Sequence, residues 1–289
     1  MELLVAEPHG MCSGVARALE MAQRVLAEHP GETLWCFHEL VHNEHIVADL
    51  QARGVRFVNE IEVIPCGARV LFSAHGVSPE VRHAAAVRQL EIVDATCPFV
   101  AKVHAEARRY AAEALPIVLI GHKGHDEVVG IVGEAAEQIT VVESYEDVLT
   151  LRGRLAQRSV MVLSQTTVSE AMYEARVAEL KAEGFDVRFP KALDICYATR
   201  ERQQAVRELA QQVDMVLVLG SRNSSNSKRL VEVAEKAGCK AALLASPAEL
   251  DTLDLGSPAR LGLTSGASTP EALLDQLRAD LNARYRIES

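Results

Sequence analysis

Three cysteines recur in the same local setting along the chain. Each follows a short apolar run and precedes a long stretch of helical periodicity, and the three are Cys12, Cys97 and Cys196. A thiol between a strand end and a helix start meets unpaired N–H groups and the positive end of the helix dipole, which favour thiolate over thiol. Three thiolates in this setting indicate a metal centre.

The number of cysteine ligands limits which metal centre the chain can hold. Structural zinc needs four protein ligands, usually from two closely spaced pairs, and the sequence contains no such pair of cysteines. Three thiolates suit an iron-sulfur cluster with one open iron, which can act as a Lewis acid and an electron source on a bound substrate. We interpret the remaining cysteines, Cys36, Cys66 and Cys239, as small buried apolar residues.

Polar loops between strand-like and helical stretches supply a second kind of chemistry. Imidazoles, hydroxyls and an amide at helix N-termini are groups that bind a mono- or diphosphate. Each residue alone is also a common N-cap or turn residue. Their matching positions along the chain favour an anion site, with candidates His42, His75, His125, Thr166, Ser224, Ser225, Asn226 and Ser268.

Glu127 is the carboxylate that we single out for acid–base chemistry. It lies two residues after His125, at the start of a predicted helix. Such a position also suits a glutamate that only stabilises the first helical turn. Reduction of an anionic organic substrate at an open iron nevertheless requires a proton donor. His38 and His122 lie one step from these candidates and stay undecided.

A repeated order of elements positions these residues. Each cysteine opens a helix, followed by a strand, a polar loop, a short helix, a strand, an acidic turn and a third strand ending in a loop of small residues. In the second repeat the acidic turn is predicted around Tyr145–Leu149. In the third repeat the first strand is predicted at Met215–Leu219 and the short helix at Ser227–Ala237. Strands alternating with helices are typical of parallel α/β sheets, whose ligands lie beyond the carboxyl ends of the strands. We predict an α/β fold of three similar units with mainly parallel sheets, arranged with pseudo-threefold symmetry around a central iron-sulfur cluster.

The predicted domains follow the cysteine spacing and cover residues 13–96, 97–195 and 196–289. The first two units end in a strand that leads to the next cysteine, whereas the third runs out after its last helix. We therefore expect residues 1–12 to complete the third unit through a strand at Leu3–Ala6.

Composition excludes several classes of function. A net charge of −10 argues against nucleic acid or an anionic membrane as the main partner. No apolar run approaches the roughly 20 residues that span a bilayer, and the sequence begins in a strand without a charged leader and an apolar segment. We expect a cytoplasmic protein with reduced thiols.

Nine short motifs, in order from about residue 5 to about residue 270, resemble one enzyme family. They are Gly-x-Cys-x-Gly-Val at 10–15, Val-His-Asn at 41–43, Ser-Ala-His-Gly-Val-Ser at 73–78, Asp-Ala-Thr-Cys-Pro at 94–98, Gly-His-x-Gly-His-x-Glu-Val at 121–128, Gln-Thr-Thr at 165–167, Asp-Ile-Cys-Tyr-Ala-Thr at 194–199, Asn-Ser-Ser-Asn-Ser at 223–227 and Gly-Ala-Ser at 266–268. The chain is similar to the 4-hydroxy-3-methylbut-2-enyl diphosphate reductases. Met11 and His9 stand where that family usually has Phe and often has Arg, which alters only the surroundings of the first ligand.

The resemblance implies a complete reaction. A 4Fe-4S cluster held by Cys12, Cys97 and Cys196 removes the allylic hydroxyl of (E)-4-hydroxy-3-methylbut-2-enyl diphosphate, giving isopentenyl diphosphate and dimethylallyl diphosphate in the last step of the non-mevalonate isoprenoid pathway. Electrons come from ferredoxin or flavodoxin. Thr166 and Glu127 handle the hydroxyl and its protons, and the diphosphate is held by His42, His75, His125, Ser224, Ser225, Asn226 and Ser268.

Two other classes of function stay open. A hydro-lyase would use the open iron only as a Lewis acid and would turn over without an electron donor. A non-catalytic iron-sulfur sensor would signal through loss of its cluster, and it would need no phosphate-binding loops. The run Ser224–Asn226 argues against the sensor.

Overall fold

The computed structural model describes residues 1–155, 159–256 and 258–285, so the end of the third predicted domain, 286–289, lies outside the described residues. In these ranges the strands are β1 (Glu2–Val5), β2 (Leu34–Phe37), β3 (Val55–Val58), β4 (Arg69–Phe72), β5 (Glu91–Asp94), β6 (Ile117–Ile120), β7 (Ile139–Val142), β8 (Ser159–Ser164), β9 (Asp186–Arg188), β10 (Met215–Leu219), β11 (Lys240–Leu244) and β12 (Arg260–Ser265). The α-helices are α1 (Ser13–Glu28), α2 (Glu44–Ala52), α3 (Pro79–Val87), α4 (Pro98–Ala112), α5 (Asp126–Gly133), α6 (Tyr145–Arg154), α7 (Glu170–Ala182), α8 (Tyr197–Ala210), α9 (Ser225–Lys236) and α10 (Glu271–Arg284).

The strands form three four-stranded sheets in which all neighbouring strands run parallel. Their orders are β1-β12-β10-β11, β3-β2-β4-β5 and β7-β6-β8-β9. Three parallel α/β units confirm the predicted fold class. The predicted pseudo-threefold arrangement and the domain boundaries stay predictions.

The N-terminal strand belongs to the sheet built from the C-terminal part of the chain. β1 pairs in parallel with β12, and Leu3 lies opposite Leu261. This pairing supplies the fourth strand that the third unit was expected to lack.

The chain folds as two compact units. The first contains Met1–Val15, His42–Ile46 and Tyr197–Ser289, and therefore the sheet β1-β12-β10-β11. Alternate residues of β10 enter different cores: Val216 and Val218 pack with residues of α8 and α9, whereas Leu217 and Leu219 pack with residues of α10. Since side chains alternate along a strand, an unbroken apolar run is what a sheet covered on both faces requires.

The second compact unit contains Ala16–Val41 and Val47–Cys196, with the other two sheets. β6 shows the same alternation: Ile117 and Leu119 face residues of α4 and α5, whereas Val118 and Ile120 face residues of α6 and α7. Full burial of each such side chain contributes about 1.5–3 kcal/mol.

Two elements differ from the sequence-based expectation. The acidic turn expected near Tyr145–Leu149 is the full helix α6, which a capping box of Ser144 and Asp147 begins. Helix α9 begins at Ser225, not at Ser227, because the Ser224 side chain caps it. The difference places Ser225 and Asn226 in the first helical turn.

Among the described residues, no helix has both the length and the apolar composition that a bilayer crossing requires.

Candidate active site

In the first compact unit, Cys12 lies between β1 and α1 in a loop whose backbone is held by three hydrogen bonds. Its N–H donates to the Ala267 carbonyl at 2.9 Å, and the Gly10 N–H donates to the Ser265 hydroxyl at 2.9 Å. The buried Arg202 guanidinium donates to the Gly10 carbonyl at 2.8 Å. The loop around this partly exposed thiol is therefore anchored to the carboxyl end of β12 and to α8.

The start of α9 carries buried polar side chains that the fold leaves unsatisfied. Asn226 is only 4% exposed, yet neither atom of its amide has a hydrogen-bond partner among the described residues, and the same holds for the Ser225 and Ser227 hydroxyls. Buried polar groups are normally paired, because desolvation without a hydrogen bond costs free energy. Unpaired side chains at a helix N-terminus point to an anionic ligand as the missing partner.

Two glycines leave room for this arrangement. A Cβ atom on Gly220 or on Gly266 would collide with the Ser227 hydroxyl. The loops after β10 and β12 therefore approach the start of α9 more closely than any residue with a side chain permits.

Ser268 contacts His42, another candidate ligand-binding residue of the first compact unit. The Ser268 hydroxyl donates to the His42 carbonyl at 3.0 Å. Asn43 accepts the N–H groups of His45 and Ile46 and thereby caps α2. The Val-His-Asn motif thus fixes the backbone at His42, and Ser268 would exchange its present hydrogen bond if it donated to a ligand.

In the second compact unit, Cys97 and Cys196 both stand at helix starts, as expected. Cys97 is the N-cap of α4 and its N–H donates to the Ala74 carbonyl at 3.0 Å. Cys196 directly precedes α8, and its N–H donates to the Thr166 carbonyl at 3.1 Å. Both thiols are partly exposed and can reach a ligand.

Glu127 and Thr166 form a buried hydrogen-bonded pair. The Thr166 N–H donates to Glu127 Oε1 at 2.6 Å, and the Thr166 hydroxyl donates to Oε2 at 3.0 Å. Glu127 is 1% exposed and Thr166 is 4% exposed. The two residues are 39 positions apart in the sequence, and the fold brings them into direct contact.

Burial raises the pKa of the Glu127 carboxyl to about 7, because water that would solvate the anion is excluded. The two hydrogen bonds from Thr166 oppose this rise, and the charge of Asp194 adds to it. A carboxyl group with a pKa near neutrality can hold a proton at physiological pH and release it.

His75 and His125 lie close together, with ring centroids 5.6 Å apart and an edge-to-face arrangement. His125 is the N-cap of α5, and its Nδ1 accepts the Glu127 N–H at 3.2 Å. With Nδ1 acting as acceptor, the proton of the neutral ring lies on Nε2.

The sequence did not single out Asp126 for chemistry, and His38 stayed undecided. One Asp126 oxygen lies 2.8 Å from His38 Nδ1 and the other lies 4.0 Å from His75 Nδ1. The hydrogen bond that the His38 ring donates to this carboxylate raises the pKa of His38, although partial burial opposes the rise. An Asp directly after a candidate His at a helix start was the available signal.

The sequence also did not single out Asp194, a carboxylate of the second compact unit. Its carboxylate is buried, accepts the Ser164 N–H at 3.0 Å and lies 3.1 Å from Lys102 Nζ. Burial raises the pKa of this carboxyl to about 6.

The other cysteines behave differently from the three candidate ligands. Cys36 and Cys239 are buried, and burial raises the pKa of both thiols, which keeps them protonated. Cys66 is exposed, so the expectation that it is buried is wrong: it follows Pro65 in the turn before β4.

The donor set fits an iron-sulfur cluster. All six cysteines lie in the described ranges as thiols, and the three at helix starts are the partly exposed members that the resemblance designates. Each directly precedes the first residue of a helix, and a helix N-terminus is a position that favours a thiolate. A set of three thiolates leaves one iron of a four-iron cluster without a protein ligand.

Polar loops beyond the carboxyl ends of parallel strands, with a buried acid and thiols at helix starts, define a parallel α/β protein with an enzyme-like site. A family model described as "LytB protein" matches residues 3–282. The chain belongs to the LytB family, and this agrees with the resemblance that its motifs indicate.

Relatives and solved structures agree with this assignment. The chain is 47% identical over 280 residues to "4-hydroxy-3-methylbut-2-enyl diphosphate reductase 2" of Burkholderia mallei, covering 97% of this chain and 85% of that protein. It matches the structure of the E-1-hydroxy-2-methyl-but-2-enyl-4-diphosphate reductase from Plasmodium falciparum with a TM-score of 0.92 and 33% identity, over 97% of this chain and 88% of that one. A second structure, of (E)-4-hydroxy-3-methyl-but-2-enyl diphosphate reductase, the terminal enzyme of the non-mevalonate pathway, matches with a TM-score of 0.68 and 29% identity, over 98% and 100% of the two chains.

Proposed function

We propose that the chain reduces (E)-4-hydroxy-3-methylbut-2-enyl diphosphate to isopentenyl diphosphate and dimethylallyl diphosphate, the last step of the non-mevalonate isoprenoid pathway. The observation that carries the proposal is the buried pair of Glu127 and Thr166. The reaction replaces a C–O bond by a C–H bond, releases water, and consumes two electrons and two protons. A buried acid beside a hydroxyl supplies the proton that converts the leaving hydroxyl into water.

Cys12, Cys97 and Cys196 would hold a 4Fe-4S cluster, which when bound supplies a Lewis-acidic open iron and single electrons. Support comes from their common position at helix starts and from their partial exposure.

The diphosphate is bound in this proposal by imidazoles, hydroxyls and an amide. Asn226 and Ser225 support this role best, because their buried polar atoms have no other partner among the described residues. The start of α9 adds backbone N–H groups and the positive dipole end. The full set is His42, His75, His125, Ser224, Ser225, Asn226 and Ser268.

Glu127 holds one of the two protons that the reaction consumes, the one that converts the leaving hydroxyl into water. When Glu127 is protonated on Oε2, that oxygen donates to Thr166 Oγ1, and the Thr166 hydroxyl becomes free to donate its own proton to the substrate hydroxyl. The Thr166 N–H keeps Oε1 in place throughout. Thr166 therefore orients the substrate hydroxyl and Glu127 replenishes its proton.

Electrons would come from ferredoxin or flavodoxin, in the cytoplasm. A requirement for electrons separates the reductase from a hydro-lyase, which releases water from its substrate without a reductant.

The test uses the full chain, reconstituted anaerobically with iron and sulfide, and characterised by iron content and electron paramagnetic resonance. Incubation with the substrate and reduced methyl viologen should give both products, measured by mass spectrometry. A matched reaction without reductant should give none. A chain with full cluster content that leaves the substrate unchanged would refute the proposal. Loss of water from the substrate without reductant, giving a dehydrated product in place of the two reduced ones, would favour the hydro-lyase.

A further inference from the structure

We propose that Lys102 is a positioning residue, which fastens the segment before Cys196 to α4, the helix whose N-cap is Cys97. The two thiols that this contact holds in place, Cys97 and Cys196, both belong to the second compact unit. Its functional meaning rests on the proposed role of Cys97 and Cys196 as ligands of one cluster.

All three ammonium protons of Lys102 are directed at one short segment. Lys102 lies on α4, five residues after Cys97. Its Nζ donates to the Ala192 carbonyl at 2.8 Å, to the Leu193 carbonyl at 3.2 Å and to Asp194 Oδ1 at 3.1 Å. An ammonium group has three donors, so segment 192–194 uses the full hydrogen-bonding capacity of this side chain.

Asp194 connects the same segment to the end of β8. Its side chain is 2% exposed, and its second oxygen accepts the Ser164 N–H at 3.0 Å. Two residues later the Cys196 N–H donates to the Thr166 carbonyl at 3.1 Å. The segment is thus tied to α4 on one side and to the loop after β8 on the other.

Loss of the Lys102 charge leaves a buried carboxylate without its cation. A buried carboxylate without a cation destabilises the fold around it, because the free energy lost by removing it from water is no longer offset by an opposite charge. We expect the segment to move toward water in Lys102→Met, carrying Cys196 away from its hydrogen bond with Thr166. Glu106 does not replace the lost partner, since it is also an acid and lies 3.8 Å from Lys102 Nζ.

The charge dependence separates this role from simple packing. Lys102→Arg keeps a cation that can donate to the segment and should retain most of the wild-type behaviour. The double variant Lys102→Met/Asp194→Asn removes both charges and should be less affected than Lys102→Met alone. Lys181→Met is the matched control, because Lys181 is an exposed lysine of the same unit with its Nζ 5.7 Å from the Phe189 ring.

The experiment measures amide hydrogen exchange at Cys196 in the full chain, with and without reconstituted cluster, and iron retained per chain. In Lys102→Met the Cys196 amide should exchange at least about tenfold faster than in the wild type, which is the effect of losing one charge-assisted hydrogen bond. The variant should also retain less iron per chain than the wild type. Amides of β6 report global unfolding and should be unchanged.

Wild-type exchange at Cys196 and wild-type iron retention in Lys102→Met would overturn the inference. So would a double variant that is more impaired than Lys102→Met. Failure of the wild-type chain to take up iron would instead count against the proposed function, while the exchange comparison would still decide whether Lys102 fastens the segment.

Discussion

Replacement of Glu127 by Gln tests the proton donor of the proposed reaction with little change in shape. The Gln carbonyl oxygen can accept the Thr166 N–H that Oε1 accepts at 2.6 Å, and the Gln amide can donate to the Thr166 hydroxyl 3.0 Å from Oε2. The fold, the cluster and substrate affinity should therefore be preserved. General acid catalysis is worth about 10²–10⁴-fold, so turnover should fall by that factor, equivalent to about 3–5 kcal/mol in the activation barrier.

The pH dependence gives an independent signature. Burial raises the pKa of Glu127 to about 7, and the protonated form is the active acid. Wild-type turnover should therefore decline by about tenfold per pH unit once the pH exceeds that pKa. Negative charge on the bound diphosphate raises the pKa of Glu127 further, so this decline of turnover, the alkaline limb of the pH profile, moves to higher pH. Glu127→Gln should lack the limb.

The assay is anaerobic turnover at saturating substrate with a chemical reductant, from about pH 6 to about pH 9, a range that brackets the pKa. Glu127→Asp is the second variant, since it remains titratable but is one methylene shorter, and it should show a reduced rate with the limb retained. Near-normal turnover in Glu127→Gln would refute the reasoning. Weakened binding with normal turnover at saturation would reassign Glu127 to substrate positioning.

Three further outcomes are expected. The pKa of Glu127 is about 7 in the folded state and ordinarily 4.5, so between these two pH values the folded state binds more protons than the unfolded state. The free energy of unfolding of the wild type should therefore fall as pH rises from about 4.5 to about 7, by up to about 3 kcal/mol relative to Glu127→Gln. Urea unfolding of the cluster-free chains measures this, and parallel pH curves would contradict it. Cys97→Ser should lose stable cluster and activity whereas Cys66→Ser, at an exposed thiol, should retain full iron content; a normal paramagnetic resonance spectrum in Cys97→Ser would exclude it as a ligand. Asn226→Ala should weaken substrate binding by about 10- to 100-fold, the worth of a hydrogen bond to a charged group, and calorimetry showing an unchanged Kd would remove Asn226 from the binding set.

Local patterns predicted the elements well, because their physical causes are local. The apolar run Met215–Leu219 is a strand with the predicted bounds, since every side chain of a doubly covered strand enters a core. The start of α9 was misplaced by two residues, because several consecutive serines can cap a helix and the sequence does not distinguish them.

The candidate residues were also visible before the fold was known, but their partners were not. The motif around Cys97 indicates a thiol at a helix start, and the structure has it as the N-cap of α4. The burial of Cys66 was predicted wrongly, since an isolated cysteine carries no pattern that reports its exposure. The exposed fraction of such a residue depends on how surrounding segments pack.

The sequence by itself determined the α/β class, the elements and the residue types available for chemistry, because periodicity, capping and turn preferences act over a few neighbouring residues. Only the tertiary structure decided the chemical state of those residues. Glu127 meets Thr166 across 39 positions of chain, and Lys102 meets Asp194 across 92. Burial and distant charges set the pKa of Glu127, and both depend on which segments exclude water around a carboxyl group, a property that no local pattern encodes.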